Sequence, residues 1–310
     1  MLTLAERLEG GVLGLLLGDA LGVPYEFHPP TALPAEVDMV PPAGFRRSHP
    51  TVPPGTWSDD GAQALCLLES LLQRGRLDVD DFAQRLVAWY LDGHLAVDSR
   101  VFDVGNQTAA ALSAIRRGAA VLEAAPTGEH SNGNGSLMRA LPLALWHRGT
   151  DEALVIDAHL QSRVTHPHPR SEACCALYCL WARRELAGAQ RAFEEAAAAL
   201  REIYSSTAYA AHAAELEEHI RPDDPTPGRG TGYVVDCLRS ARSVLATHSS
   251  VEAVLRAAVA LGHDTDTTAC VAGGIAGVRH GARALPDRWL TQLRGMELVR
   301  PLLGALVRRS

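Results

Sequence analysis

The sequence predicts an all-α fold built as one domain over residues 1–310. Apolar residues recur at helical spacing along nearly the whole chain, and no run of alternating apolar and polar residues is long enough for a sheet. Two irregular stretches, residues 28–55 and 221–232, interrupt this pattern. Helices of the same character flank both of them, so neither is typical of a linker between domains. A chain of this length can bury a large core without disulfide bonds.

The first predicted helix has an apolar face and a row of glycines. Leu8, Val12 and Leu15 lie on one side of it. The glycines recur at a spacing that lets another helix approach closely, and they are Gly11, Gly14, Gly18 and Gly22. The same periodicity predicts further helices over about 60–74, 79–92, 106–117, 136–148, 151–164, 171–187, 189–204, 231–247, 250–261, 267–280 and 287–308.

Two stretches interrupt the helical pattern. Residues 28–55, here called the flap, carry eight of the 18 prolines and are longer than an ordinary connection. This length and composition predict a lid or a structured cover. The second interruption is the polar stretch 221–232.

Charge and composition exclude several classes of function. The chain has 29 basic and 36 acidic residues, a net charge of −7, and no arginine run longer than two residues, which argues against nucleic acid as the main partner. All 29 basic residues are arginine. The absence of lysine rules out a Schiff base, a pyridoxal phosphate anchor and a Walker-type phosphate loop. The sequence leaves the oligomeric state open, a monomer included.

Cysteine usage and the N-terminal segment predict a cytoplasmic protein. The six cysteines lie in apolar helical stretches and form no C-x-x-C pair, so we expect buried, reduced thiols. The apolar run 12–17 is too short to span a bilayer and leads directly into Asp19, which predicts neither a transmembrane helix nor a signal sequence. We therefore expect no membrane partner.

Two acidic clusters at predicted helix starts carry the strongest chemical signal. The first is Ser58-Asp59-Asp60, and the second is Asp264-Thr265-Asp266-Thr267. Helix capping explains one such residue at each start and stays open for either cluster alone. Each cluster, however, offers three or more polar candidates beside apolar helices. If the clusters meet, their carboxylates cannot all ionise without cations, and oxygen ligands favour Mg²⁺, Mn²⁺ or Ca²⁺ over zinc.

A glycine-rich loop supplies a second candidate site. Two of the three asparagines lie in the run Ser131-Asn132-Gly133-Asn134-Gly135-Ser136, just before a predicted helix. Successive backbone N–H groups in such a loop can cradle a phosphate, although Asn and Gly are also ordinary turn residues. Arg139 either assists this phosphate site or is a surface arginine. His166 lies in a turn and either touches a ligand or is exposed.

Together these motifs resemble the ADP-ribosylglycohydrolases, the group that includes dinitrogenase-reductase-activating glycohydrolase and the eukaryotic ADP-ribosylhydrolases. The resemblance covers about residues 8–282 and depends on several motifs that occur in one order. They are Gly18-Asp19-Ala20-Leu21-Gly22 with Glu26, Trp57-Ser58-Asp59-Asp60, Asp103-Val104-Gly105-Asn106, Gly133-Asn134-Gly135-Ser136-Leu137-Met138-Arg139, Thr165-His166 and Gly262-His263-Asp264-Thr265-Asp266-Thr267. The chain departs from the family pattern at Ser58, Gly61 and His263, where Thr, Thr and Gly are usual.

The resemblance implies an orthogonally packed helical domain with a dinuclear metal cleft for two divalent cations, Mg²⁺ or Mn²⁺. It also implies a glycosidase that cleaves ADP-ribose from a modified protein side chain or a small acceptor. Carried over by position, the metal ligands are Ser58, Asp59, Asp60, Asp264, Asp266 and Thr267. The implied substrate contacts are Ser131, Asn132, Gly133, Asn134 and Gly135 at the diphosphate and distal ribose, His166 at the ADP part and Tyr233 at adenine. Tyr233 is equally compatible with a core position at a helix start.

Three carboxylates are candidates for acid–base catalysis. A glycosidic bond breaks through an oxocarbenium-like transition state, which calls for a proton donor and an activated water. Asp60 or Asp266, or Glu26 on a mobile flap that gates the site in the family, would serve as general base or acid.

Two other functions stay open for the sequence alone. The clusters also suit a metal-dependent hydrolase of phosphoanhydrides, and the resemblance extends to non-catalytic ADP-ribose-binding or crystallin-like relatives. The acceptor is open among arginine, serine and acetyl linkages, and arginine is favoured because it is common in bacterial members.

Overall fold

The computed structural model describes residues 2–309, which form fourteen α-helices and no β-strand, and this confirms the predicted all-α class. The helices are α1 (Leu4–Gly22), α2 (Asp59–Arg74), α3 (Val79–Asp92), α4 (Asn106–Arg116), α5 (Leu141–Trp146), α6 (Asp151–Arg163), α7 (Pro169–Leu186), α8 (Ala192–Tyr204), α9 (Ala210–Glu215), α10 (Val234–Thr247), α11 (Val251–Ala260), α12 (Thr265–His280), α13 (Asp287–Leu290) and α14 (Met296–Arg308). A π-helical turn, Leu216–Ile220, continues α9. Within residues 2–309, no helix is long and apolar enough to cross a bilayer.

Helices α1 and α12 pack antiparallel with their backbones in direct contact. Gly10, Gly14 and Gly18 each lie so close to α12 that an added Cβ atom would collide with a carbonyl oxygen. The oxygens belong, in that order, to Gly277, Gly273 and Ala269. Interiors are packed too densely to absorb such collisions without a backbone shift.

The row of glycines ends at the functional end of the pair. Gly22 lies against the Cα atom of Asp266, so the C-terminus of α1 meets the N-terminus of α12. The predicted close approach is confirmed for three of the four glycines. Gly11 instead faces the side chains of Val278 and Leu145, and Gly10 takes its place at the backbone contact.

Helix α7 forms the centre of the core. Every residue from Ala173 to Ala182 is buried. Helices α6, α8 and α10 pack around it. The six cysteines are all buried, which confirms the predicted burial of these thiols.

The helix predicted over 136–148 is much shorter in the structure. Residues 136–140 form turns, and α5 begins only at Leu141. Pro142 explains the late start, because its ring lacks an N–H and collides with the carbonyl of a preceding helical turn. The loop at 131–136 is therefore followed by turns rather than by the predicted helix N-terminus.

Two further differences exceed a shift of a few residues at a helix end. The helix predicted over 287–308 is divided into α13 and α14 by Gly295, whose φ of 71° lies in the left-handed region. Residues 210–220 form α9 and the π-helical turn, where no helix was predicted. This alanine-rich stretch has too few large apolar residues to give a helical period.

The flap is a structured cover that contributes to the core. Val37 and Met39 are buried within it. The hydroxyl of Tyr25 donates to the carbonyl oxygen of Asp38 at 2.7 Å, and Trp289 Nε1 donates to Asp38 Oδ1 at 2.5 Å. These bonds fix the middle of the flap against α13.

Candidate active site

The contact between α1 and α12 places the second acidic cluster. The hydroxyl of Thr265 donates to the carbonyl oxygen of Gly22 at 2.9 Å, next to the contact between Gly22 and Asp266. The first turn of α12 is therefore held against the end of α1, and Thr267 in this turn lines the cavity described below.

Asp19 places the first acidic cluster by capping α2 from another helix. Its carboxylate accepts hydrogen bonds from the backbone N–H groups of Ser58 and Gly61, each at 2.8 Å. Helix N-termini need acceptors of this kind, and a buried carboxylate is an effective one. Because Asp19 accepts from these N–H groups, the carboxylates of Asp59 and Asp60 are not needed to cap α2. An added Cβ at Gly61 would collide with the side chain of Trp57, so the threonine usual in the family does not fit here.

The two acidic clusters meet in space. The hydroxyl of Thr267 donates to Asp60 Oδ1 at 3.4 Å, although the residues are 207 positions apart. Ligand atoms of Glu26, Asp264 and Asp266 lie within 4.8 Å of one another. No donor among the described residues reaches Asp60 Oδ2 or either carboxylate oxygen of Asp266, and all three atoms are buried. Buried carboxylate oxygens without donors are typical of a site that holds cations.

Helix capping accounts for only one residue of the two clusters. Ser58 Oγ accepts a hydrogen bond from the backbone N–H of Asp60 at 3.3 Å. At α12, Asp264 occupies the cap position, yet its side chain makes no capping bond and accepts from Asn134 Nδ2 at 2.9 Å instead. Asp59 Oδ2 accepts from Gln63 Nε2 at 2.9 Å.

The clustered carboxylates have raised pKa values. Burial is the first cause for Asp59, Asp60 and Asp266, and repulsion by neighbouring carboxylates adds to it. The same causes raise the pKa of Glu26 to about 11, and burial raises that of Asp19 to about 7. Without added positive charge these groups cannot all ionise together, and divalent cations would supply that charge.

Glu26 lies at the mouth of the cleft, two residues before the flap. His49 Nε2 is 2.7 Å from Glu26 Oε2, so a side chain from the far end of the flap holds this carboxyl group. Asp103 lies beside both, with ligand atoms of the three residues within 4.8 Å. Repulsion from Asp103 is the largest electrostatic contribution to the raised pKa of Glu26 after burial.

The backbone after Glu26 is tied to the loop that carries Asp264. The N–H of Phe27 donates to the carbonyl oxygen of His263 at 2.6 Å, and the N–H of His263 donates to that of His28 at 2.7 Å. Phe27 and His263 have left-handed φ values of 62° and 61°, a conformation that costs a non-glycine residue about 1–3 kcal/mol. The side chain of His263 is exposed to solvent.

Two adjoining cavities lie over the cluster. One of about 320 Å³ is lined by Asp60, Asp264 and Thr267 and by the glycine-rich loop. A second of about 370 Å³ shares His130, Gly133 and Gly232 with the first. The shared residues join the two cavities into one cleft, which is acidic at the cluster and lined at its far end by Glu129, Arg170 and Tyr233. A larger cavity of about 520 Å³, beside Arg7 and Arg242, contains no predicted site residue.

The glycine-rich loop faces the cleft with only part of its predicted set. Gly133, Asn134 and Gly135 line the cavity over the cluster, and Asn132 lines the adjoining one. The backbone N–H groups of Gly133 and Gly135 have no acceptor within residues 2–309 and are free to bind an anion. Ser131 lines neither cavity, and its backbone N–H donates to the carbonyl oxygen of Gly128 in a turn.

The structure decides three open alternatives. His166 is buried and lines the cavity over the cluster, so it is not an exposed turn residue. Tyr233 is 38% exposed and lines the second cavity, so it is not a core residue. Arg139 is fully buried and donates to Gln63, Gln161 and Thr165, so it is neither a surface arginine nor a direct phosphate ligand.

Sequence reasoning gave no role to several residues that build the site. Asp19 is the clearest case, and a carboxylate within the apolar and glycine-rich stretch 10–22 was the available signal. Asp103 and Thr165 belong to the motifs that resemble the family but carried no predicted role. Gln63 and His49 gave no signal, because their partners are distant in sequence.

Comparisons with known proteins agree on one family. A family model described as ADP-ribosylglycohydrolase matches residues 1–310. An ADP-ribosylarginine hydrolase of Serratia proteamaculans is 33% identical over 97% of this chain and 79% of its own length. The ADP-ribosyl-[dinitrogen reductase] glycohydrolase of Rhodospirillum rubrum is 28% identical over 93% of this chain and 90% of its own. A solved structure described as an ADP-ribosylglycohydrolase-related protein complex superimposes with a TM-score of 0.77 at 31% identity, and covers 99% of both chains.

Proposed function

The chain belongs to the ADP-ribosylglycohydrolase family, and on that premise we propose that it is a metal-dependent hydrolase that releases ADP-ribose from arginine side chains. One observation carries the proposal. Two carboxylate clusters from distant parts of the chain converge on buried oxygens without donors, and the cavity over them is also lined by Gly133 and Gly135, whose backbone N–H groups are free.

The donor set of the cluster fits two divalent cations. The proposed ligands all offer oxygen, which suits Mg²⁺ or Mn²⁺, and they are Ser58, Asp59, Asp60, Asp264, Asp266 and Thr267. The oxygens without donors on Asp60 and Asp266 support this assignment most directly. Bound there, the cations would neutralise the cluster, hold the ribose hydroxyls and lower the pKa of a water molecule.

The rest of the cleft suits the ADP portion of the substrate. The diphosphate would accept from the free N–H groups of Gly133 and Gly135, with Asn134 and His166 beside it. Adenine would lie in the second cavity against Tyr233, whose hydroxyl is held by Arg170 Nη1 at 3.2 Å. Binding energy from this remote half would position the reacting sugar at the acidic end.

Acid–base chemistry falls to carboxylates at the acidic end. Hydrolysis breaks the bond between the anomeric carbon and the guanidine nitrogen, forms a bond from that carbon to water oxygen, and moves one proton to the departing nitrogen. His49 engages Glu26 Oε2, which leaves Oε1 to hold or deliver that proton. Asp60 or Asp266 would accept the proton of the attacking water.

The mouth of the cleft supports arginine as the acceptor. Phe27 is 68% exposed, and its ring centroid lies 5.8 Å from that of His49, which in turn lies 5.1 Å from that of Phe102. Glu26 and Asp103 lie beside these rings. Aromatic faces next to carboxylates match a planar guanidinium group, whereas a serine hydroxyl gains nothing from them. The arginine-directed activity in the name of the Serratia relative points the same way.

The deciding experiment measures ADP-ribose release from arginine-linked and serine-linked peptides, with Mg²⁺, Mn²⁺ and a chelator in turn. We expect release from the arginine-linked peptide with metal and none with chelator. AMP and ribose phosphate as products would favour a phosphoanhydride hydrolase instead. Tight ADP-ribose binding without release under any metal condition would favour a non-catalytic binding protein.

A further inference from the structure

Arg139 is a buried cation that pairs with no carboxylate among residues 2–309. Its Nη1 donates to Gln63 Oε1 at 2.8 Å, its Nε to Gln161 Oε1 at 3.2 Å, and its Nη2 to Thr165 Oγ1 at 2.8 Å. The ring of Phe82 covers the guanidinium at 5.1 Å. A fully buried charge that is bonded to neutral groups is costly to maintain, which indicates a role for the groups that Arg139 holds.

The first group orients a carboxylate of the metal cluster. Arginine can only donate, so Gln63 must turn its carbonyl oxygen towards Arg139 and its amino group the other way. That amino group donates to Asp59 Oδ2 at 2.9 Å. Both neighbours of Gln63 therefore fix its orientation, and the amide holds Asp59 in place.

The second group determines where His166 carries its proton. Thr165 Oγ1 accepts from Arg139, and its only other partner within residues 2–309 is His166 Nδ1, at 2.8 Å. If Nδ1 carried the proton, both neighbours would donate to the hydroxyl oxygen, and the buried hydroxyl proton would have no acceptor. The hydroxyl must donate to Nδ1, so the ring proton lies on Nε2.

The protonated nitrogen faces the glycine-rich loop. His166 Nε2 lies 3.7 Å from where a Cβ atom on Gly133 would be, and the ring lines the cavity over the cluster. Burial, and secondarily the charge of Arg139, lower the pKa of His166 to about 3. The ring is therefore neutral at physiological pH, with a single N–H group.

We propose that Arg139 is a positioning residue that acts on two groups of the cleft: through Gln63 it orients Asp59, and through Thr165 it fixes the Nε2–H tautomer of His166, which donates to an anionic oxygen of the substrate. The inference rests on the proposed function for the identity of that oxygen. The tautomer and the two hydrogen-bond chains stand without it. Tautomer control of this kind is how a neighbouring hydrogen bond commonly sets the chemistry of a histidine.

The tautomer can be read directly by nuclear magnetic resonance of protein labelled with ¹⁵N at histidine. The His166→Gln variant identifies the resonance of interest. We expect an Nε2–H pattern in the wild type and its loss in Thr165→Val, which keeps the shape but removes the hydroxyl. Thr165→Ser is the matched control and should keep the pattern. A wild-type spectrum with the proton on Nδ1, or with a charged ring, overturns the proposal.

Binding measurements separate the two chains of hydrogen bonds. Thr165→Val should weaken ADP-ribose binding about tenfold and leave Mn²⁺ affinity within about twofold. Gln63→Met should weaken Mn²⁺ binding about tenfold or more and leave the His166 tautomer unchanged. Arg139→Met should weaken the binding of both ADP-ribose and Mn²⁺. If this variant does not fold, Thr165→Val and Gln63→Met, which each break one of the two hydrogen-bond chains, test the proposal. If both variants weaken the two ligands equally, the division of roles is wrong.

These readouts keep the inference distinct from the proposed function. Neither the histidine spectrum nor Mn²⁺ binding requires turnover. If the wild type cleaves no ADP-ribosylated peptide but shows the Nε2–H tautomer and the divided binding losses, the proposed function fails and the positioning role of Arg139 stands. If the peptide is cleaved but the spectrum shows Nδ1–H, the proposed function stands and the positioning role of Arg139 fails.

Discussion

The two sides of the cleft are built by different means. We call α1, α12 and the first turn of α2 the frame, and residues 26–55 with 93–105 the rim. The frame is fixed by backbone contacts at glycines, and residues 4–22 and 265–280 contain no left-handed φ. The rim, by contrast, holds six of the eight non-glycine residues with left-handed φ among residues 2–309.

This difference determines which positions on each side can change without loss of the metal site. Ligands on the frame cannot shift without a backbone collision, which suits a site where oxygens must converge within a fixed distance. Groups on the rim are held by a few hydrogen bonds and by conformations that cost energy to maintain. Rim positions are therefore where acceptor preference can change without loss of the metal site.

The largest expected effect comes from a carboxylate on the frame. Asp266→Ala should lower kcat by about 10³-fold or more and weaken metal binding, because charge stabilisation by a bound metal contributes several kcal/mol to the transition state. Steady-state kinetics and Mn²⁺ titration measure both effects. Asp78→Ala is the control: Asp78 caps α3 by accepting from Asp81 N–H, so it should cost stability of about 1 kcal/mol and no activity. Equal activity of wild type and Asp266→Ala would contradict the proposed function.

The next effect tests the frame itself. An added Cβ at Gly18 would lie 2.9 Å from the backbone nitrogen of Cys270 and closer still to the carbonyl of Ala269. Gly18→Ala should therefore lower the free energy of unfolding by about 3 kcal/mol in denaturant titration.

Gly105 in the rim provides the matched control for Gly18. Its φ of −59° suits alanine, and the nearest atom to an added Cβ is Thr108 Oγ1 at 4.0 Å. Gly105→Ala should leave stability unchanged or raise it by up to about 1 kcal/mol. Equal losses at the two positions would show that the frame is no more rigid than the rim.

Added metal should stabilise the folded chain by a comparable amount. The two acidic clusters come together only on folding, so cations bind the native state, and about 2.7 kcal/mol is expected at a hundredfold excess over the dissociation constant. Thermal unfolding with Mn²⁺ against chelator measures it. The shift should largely vanish in Asp266→Ala and persist in Asp78→Ala. A shift of the same size in both variants would place the bound metal elsewhere.

The smallest effect concerns the rim. Phe27→Leu should raise KM for an arginine-linked peptide about three- to tenfold, because stacking of a cation on an aromatic ring contributes about 0.5–2 kcal/mol. Phe27→Tyr, which keeps the ring, should behave as wild type. Affinity for free ADP-ribose should not change in either variant. An equal increase in KM for arginine-linked and serine-linked peptides would show that the rim does not recognise the acceptor.

The sequence predicted the frame better than the rim for a physical reason. Helical periodicity and glycine spacing are local signals, so most helices and the close approach of α1 to another helix followed from them. Clusters of Asp, Ser and Thr at helix starts gave the proposed metal ligands. The late start of α5 was missed because Pro142 outweighed the apolar pattern around it.

The substrate side depends on contacts that no local pattern encodes. Its position next to the glycine-rich loop suggested that Arg139 assists a phosphate site or lies on the surface. Its partners Gln63 and Thr165, however, lie 76 and 26 residues away. Ser131 was predicted to contact the substrate because of its position in the glycine-rich loop. In the structure it lines neither cavity, and its N–H donates to Gly128. The role of Asp19 required knowledge of which helix ends beside α2. Such assignments need the three-dimensional path of the chain.

The pairing of α1 with α12 also has a consequence during synthesis on the ribosome. The hydrogen bond between Thr265 and Gly22 spans 243 residues. At about 5–20 residues per second, α1 waits roughly 12–50 s for its partner to emerge. During that interval the glycine face of α1 lacks the helix that packs against its backbone, and the nascent chain holds only one of its two acidic clusters. The ability to capture cations thus arrives late in translation and all at once.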